Sequence, residues 1–298
     1  TNTAASPYTV QAAYHAAKLR RAGSDATYRA WCSKSISAFE TFKRNAPVEE
    51  GRNQALGSLQ ADMAAECEYR ELDAQIAKAF DYDAGHHRYK GVITEVTKEF
   101  EDDVEKDAKK WFEQLQHVIT TYESRKWAVA ARARQGSLYD SCRTGLYNAR
   151  PPGLKLYTPK EERLLKKLDK LCEDGLSDDA CDNSDQFRAN RRAQWRQTRQ
   201  GYLDDADKAM VAGYGEAVLW STAWKVNVDA VDEAIRRLAF FTDIIGDEKL
   251  KDYTGHLKDP SSKQPFRYTP GAFLRMRRGL TDQVEPQVMP APLPVIVP

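Results

Sequence analysis

The chain has 298 residues, 45 of them basic and 44 acidic for a net charge of +1, with 41% hydrophobic and 30% charged residues. That length buries a real core in one large or two modest domains, and the composition lies outside the disordered class. Near-neutrality argues against a nucleic-acid binder carried by bulk charge, and no run approaches the ~20 apolar residues that a membrane helix needs.

In chain order, nearly everything reads as helix. Ser6-Pro7 supplies an N-cap and a proline at the first helical position, and Gly23 ends that segment. A second helix starts at Ser24, carries Trp31, Ile36, Phe39 and Phe42, and breaks at "NAP", 45–47. A third is expected from Pro47 to about Tyr82, weakened in its first turns by Gly51 and Gly57.

The clearest periodicity follows. Ile93, Val96, Phe100, Val104, Ala108, Trp111, Leu115, Val118, Tyr122 and Val129 recur at steps of three and four, apart from a final step of seven. They predict one helix from Ile93 to Ala131, on the order of 60 Å long.

After the loop "ARPPG", 149–153, the run Thr158-Pro159-Lys160-Glu161 is a capping box with proline at the first helical position, and its helix runs to Gly175. A further helix covers roughly 185–212, where "GYG" at 213–215 interrupts it, kinks it or permits close packing. A segment from Glu216 to Ile245 carries Val228, Val231, Ile235, Leu238, Phe241 and Ile245 at helical spacing and is expected to end at Gly246. From Asp252 the chain is rich in turn formers, with a short helix around "AFLRMRRGL" before the terminal "QVMPAPLPVIVP". No strand or hairpin signal stands out.

The expected fold is therefore all-α, a bundle of long antiparallel helices with an extended, proline-rich C-terminal tail. Its expected regions are 1–148, 154–251 and 252–298. In the tail, prolines keep the backbone extended while Val288, Met289, Leu293, Val295, Ile296 and Val297 offer apolar contacts to a groove on this chain or a partner.

Five cysteines are an odd count in a chain too large to need disulfide staples, so free, mostly buried thiols in a reducing compartment are the default expectation. Cys172 and Cys181 in "LCEDGLSDDACD" are the exception, because a glycine and helix-start residues between them suggest a tight reversal that brings the sulfurs together. Bonded, they would point to a periplasm or a mitochondrial intermembrane space. The spacing is one short of the paired Cx9C hairpins of intermembrane-space proteins and has no second matching pair. That family is set aside.

Catalytic and metal signatures are missing from the sequence. There is no pair of Glu-x-x-His motifs for a di-iron site, no Cys-x-x-Cys, no GxxxxGK and no GxGxxG after a strand. Glu113 with His117, and His86-His87 with Asp83, do not converge with other ligands by spacing. The expectation is a protein that is not an enzyme and carries no cofactor or metal.

The most distinctive polar feature is "FRANRRAQWRQTRQGY", 187–202, in which Arg188, Arg192, Arg196 and Arg199 recur along one helical face. Such a stripe suits RNA phosphates, anionic lipid headgroups or an acidic helix. The last is the commoner use, and "EVTKEFEDDVEKD", 95–107, carries seven carboxylates. Arg275, Arg277 and Arg278 form a second basic cluster.

Long helices, matched charges and a tail that needs a groove describe a structural or accessory subunit whose partners are other protein subunits of a large complex. Thr1 in place of Met is expected of a processed form, which suits an imported mitochondrial protein decorating a respiratory complex or ATP synthase. The alternatives are an RNA-binding or ribosome-associated protein using the arginine stripe, and a secreted or periplasmic helical binding protein.

Overall fold

The computed structural model describes residues 6–20, 25–260 and 263–281. The tail positions Val288, Met289, Leu293, Val295, Ile296 and Val297 lie outside them, as do Gly23, Ser24 and the side chains of Arg277 and Arg278. The described chain is predominantly helical: α1 (Pro7–Arg20), α2 (Asp25–Asn45), α3 (Leu59–Ala79), α4 (Ile93–Asp102), α5 (Lys109–Tyr122), α6 (Arg125–Asn148), α7 (Pro159–Glu173), α8 (Asp178–Trp224), α9 (Asp229–Thr254) and α10 (Ala272–Thr281).

Several expectations are corrected. No helix starts at Pro47. Instead β1 (Val48–Glu49) and β2 (Arg52–Asn53) form a hairpin through the left-handed Glu50 and Gly51, and α3 waits for the Ser58 cap, whose side chain accepts from the Ala61 nitrogen. With only two residue pairs, the hairpin is too short to leave an alternating pattern in the sequence.

The forty-residue helix is also broken. Asp103–Ala108 forms a π-helical turn between α4 and α5, and after Tyr122 the chain takes a left-handed turn at Glu123 (φ 51). Ser124 then caps α6 by accepting from the Trp127 nitrogen. That break falls inside the seven-residue step of the apolar pattern, where the phase is reset. The longest helix is instead α8, 47 residues that run through "GYG" without interruption. The next helix begins only at Asp229, after the left-handed Lys225, and Gly246 (φ 82) breaks its regular dihedrals before it resumes.

α6 and α8 make the central pair. The small residues Ala128, Ala130, Ala131, Ala133, Gly136 and Gly145 on α6 let its neighbours approach closely. One apolar cluster joins Phe39, Ile76, Leu115, Tyr122, Leu138 and Leu146 with Trp195 and Leu203, so it draws on helices before and after the 149–153 loop. A second gathers Met210, Val211, Ile235, Leu238, Phe241 and Leu250 where α8, α9 and α10 meet. A short parallel pairing of β3 (Gly91–Val92) with β4 (Leu154–Lys155) ties the start of α4 to the loop after α6. Among the described residues no helix is long and apolar enough to cross a membrane.

Candidate functional site

α7 and the first part of α8 form a two-helix arm. Thr158 caps α7 as its sequence requires: its hydroxyl accepts from the Glu161 nitrogen at 3.3 Å, while Glu161 accepts from the Thr158 nitrogen at 2.8 Å. The chain reverses at Gly175 (φ 62), and Ser177 caps α8 by accepting from the Ala180 nitrogen. A disulfide between Cys172 and Cys181 closes the tip. Below it Arg188 donates to both oxygens of Asp169 at 2.7 and 2.6 Å, Arg191 pairs with Glu161, and Tyr157 stacks on Phe187 with ring centroids 6.1 Å apart. These pairs make α7 run back along α8.

The arm is thin. Leu165 is the only buried residue of α7, and before Trp195 only Ala180 and Ser184 of α8 are buried. Leu164, Leu168 and Leu171 follow at i, i+4 and i+7, one stripe on the helix surface, yet Leu164 and Leu171 remain 51% and 41% exposed, and Leu176 at the turn 70%.

The arginine stripe divides accordingly. Arg188 is committed to Asp169 and to Asp185, 3.5 Å away, and so serves the arm itself. Asp169 comes from α7 and Asp185 from α8 itself, whereas Glu101 in the acidic 95–107 segment accepts from the Tyr202 hydroxyl. Arg192 and Arg196 are exposed and have no carboxylate partner among the described residues. Arg199 donates to the Tyr147 carbonyl at 3.3 Å at the end of α6. Arg275, from the second basic cluster, donates to the Pro270 carbonyl and the Thr269 hydroxyl.

A second disulfide, Cys32–Cys67, joins α2 to α3, and Cys142 alone is free and buried. The structure thus departs from the default of free thiols. No spacing signal marks the Cys32–Cys67 pair, since the two meet only when α2 packs on α3. Nearby, Glu66 on α3 accepts from Tyr14 and Lys18 of α1 and from Arg70. Burial pushes the Glu66 carboxyl up, but its bonds from Lys18, Tyr14 and Arg70 outweigh that and hold it below the usual carboxylate value.

Several buried and half-buried polar groups bond to one another. A cavity of about 270 Å³ is bordered by Asp81, Arg134, Asp140, Tyr214, Glu233 and Arg237. Asp140 takes two bonds from Arg237 and one from the Tyr214 hydroxyl, while Asp81 takes two from Arg134. Arg143 and Asp207, both buried, pair at 2.8 Å between α6 and α8. His87 bonds through one ring nitrogen to the Phe80 carbonyl at 2.6 Å and through the other to Asp103 at 2.7 Å. Both ring nitrogens are thereby taken. Burial pushes the Cys142 thiol well up, which disfavours the nucleophilic thiolate. His117 bonds Glu68, and no group of three metal-ligating side chains gathers among the described residues.

Comparison with protein-family models, curated proteins and solved structures finds no match to this chain.

Proposed function

We propose that this protein is a non-catalytic structural subunit of a larger protein assembly, a bundle of long helices that engages a partner subunit through the α7–α8 arm. The observation that carries the reading is the arm's leucine stripe, with Leu164 and Leu171 exposed and Leu168 half-buried between them, on an element braced by a disulfide and two ion pairs. A braced, preformed surface loses little entropy on docking. Two disulfides favour an oxidising space, so a mitochondrial intermembrane space, a periplasm or the exterior suits the protein better than a reducing cytosol.

The test replaces Leu164 and Leu171 by Asp and recovers the tagged protein from native membranes and soluble extract. The expected result is loss of a stoichiometric partner subunit with unchanged far-ultraviolet circular dichroism. A homogeneous monomer from both fractions of wild-type cells overturns the reading. Truncation after Asp282 separately tests the tail as an anchor, and it fails in that role if assembly is unchanged.

RNA binding through the arginine stripe has less to work with, because Arg188 is already paired within the arm.

A further inference from the structure

The pairing of β3 with β4 brings together cations that lie far apart in the sequence. Gly91 sits opposite Leu154, and its nitrogen donates to the Gly153 carbonyl at 3.0 Å, so residues 88–92 lie beside 150–155. Between them opens a cleft of about 250 Å³, bordered by Tyr82, Arg88, Tyr89, Lys90, Asn148 and Arg150, with no carboxylate in its lining. The larger cavity beside it is bordered by Asp81, Asp83, Asp140 and Glu233 and contains its own counter-charges.

Arg88 is held in place. The Arg88 guanidinium lies 3.7 Å from the centre of the Tyr82 ring and donates to the Tyr82 carbonyl at 3.1 Å. The stem of Lys90 runs past Gly153, where a Cβ would stand 3.4 Å from the Lys90 Cγ. Two carboxylates on the adjoining α4 and the turn after it are bonded elsewhere. Glu95 accepts from the Val92 nitrogen at 3.0 Å, and Asp103 accepts from the Tyr89 hydroxyl at 2.8 Å and bonds His87. Arg88, Lys90 and Arg150 have no ion pair among the described residues.

Arg199 extends the same field. It stacks with Arg143 on the Tyr147 ring, at 5.3 and 5.0 Å. Burial, and after it the guanidiniums of Arg150, Arg143 and Arg196, hold Arg199 below the usual arginine value against the opposing effect of Tyr147. Arg143 is already balanced by Asp207, so the like charges left to repel one another in the absence of an anion are those of Arg150, Arg196 and Arg199.

We propose that this cleft binds a phosphate monoester, with Arg88, Lys90 and Arg150 donating to its oxygens. Guanidinium and ammonium donors form short, charge-assisted bonds to phosphate. The volume lies below the ~300–1,000 Å³ of pockets for drug-sized ligands, so it suits a phosphorylated headgroup or small ester rather than a nucleotide.

Calorimetric titration of the full chain with inorganic phosphate and with glycerol 3-phosphate, at fixed ionic strength, tests the assignment. Saturable one-site binding is expected, weakened about tenfold or more in the K90Q/R150Q double variant and unchanged in R192Q. Both replaced side chains are exposed, and circular dichroism verifies the variant's fold. Co-sedimentation with phosphatidylcholine vesicles containing phosphatidic acid, lost in the double variant, assigns the phosphate to a lipid. Soluble-ester binding without vesicle binding assigns it to a free metabolite. Heat that tracks ionic strength alone, or equal affinity in the double variant, overturns the proposal.

Discussion

A Cβ built on Gly213 would stand 2.6 Å from the Cα of Gly136 and 2.7 Å from its nitrogen. Reciprocally, one on Gly136 would meet the Tyr214 nitrogen at 2.9 Å and the Met210 carbonyl oxygen at 3.1 Å. The obstacles include backbone atoms, so α6 and α8 would have to move apart to admit a methyl group.

Gly213→Ala is therefore expected to destabilise by about 1–3 kcal/mol, even though alanine is favoured over glycine by about 1 kcal/mol inside a helix. Gly201, also in α8, has nothing within 4 Å of its would-be Cβ, so Gly201→Ala should stabilise by up to about 1 kcal/mol. Urea midpoints moving in opposite directions would verify the crossing. A Gly213→Ala midpoint at or above wild type would contradict it.

The thiols give a second prediction. Of the five cysteines, native non-reduced protein should show none reactive, one on unfolding and all five after reduction. Replacing Cys172 and Cys181 by Ser should cost about 2.5 kcal/mol for their separation of 9 residues, and the Cys32–Cys67 pair about 4 kcal/mol for 35. Peptide mapping under non-reducing conditions checks the connectivity, and a Cys142 disulfide would refute it.

Acid should loosen the α1–α3 contact. Glu66 has a folded-state value below its ordinary 4.5, so its charged form adds stability at higher pH that is lost as pH falls from about 4.5 through that lower value. Glu66→Gln should lower Tm at neutral pH and flatten the fall in Tm below pH ~4.5. Parallel slopes for variant and wild type would assign the acid sensitivity elsewhere.

The leucines of α7 should divide sharply. Leu165→Ala, at the buried contact with α8, should cost about 2–5 kcal/mol of local stability, read as faster amide exchange in the arm. Leu164→Asp and Leu171→Asp should stay within about 0.5 kcal/mol of wild type. Equal losses at all three positions would mean that the outer stripe is already covered within the chain.

What was legible in the sequence follows from how local each signal is. The start of α7 was readable because the Thr158–Glu161 cap closes within one turn. The break in the spine from Ile93 is hidden because apolar spacing is blind to one residue adopting a left-handed turn, and only the Ser124 cap and the lost phase between Tyr122 and Val129 hint at it. The arginine stripe was visible, but its division was not. Arg188 finds Asp169 only after the chain folds back, and Arg150 joins Arg88 and Lys90 only through the β3–β4 pairing. Packing, rather than composition, decides which charges are spent and which stay free.

The length of α8 has a mechanical meaning. Its 47 residues extend on the order of 70 Å as one regular element, from the disulfide at the arm's tip to the core that α9 and α10 share. Trp195, Leu203 and the Arg143–Asp207 pair fasten it to α6 on the way to the glycine crossing, so a pull on the arm would reach Trp195 first and Gly136 and Gly213 last.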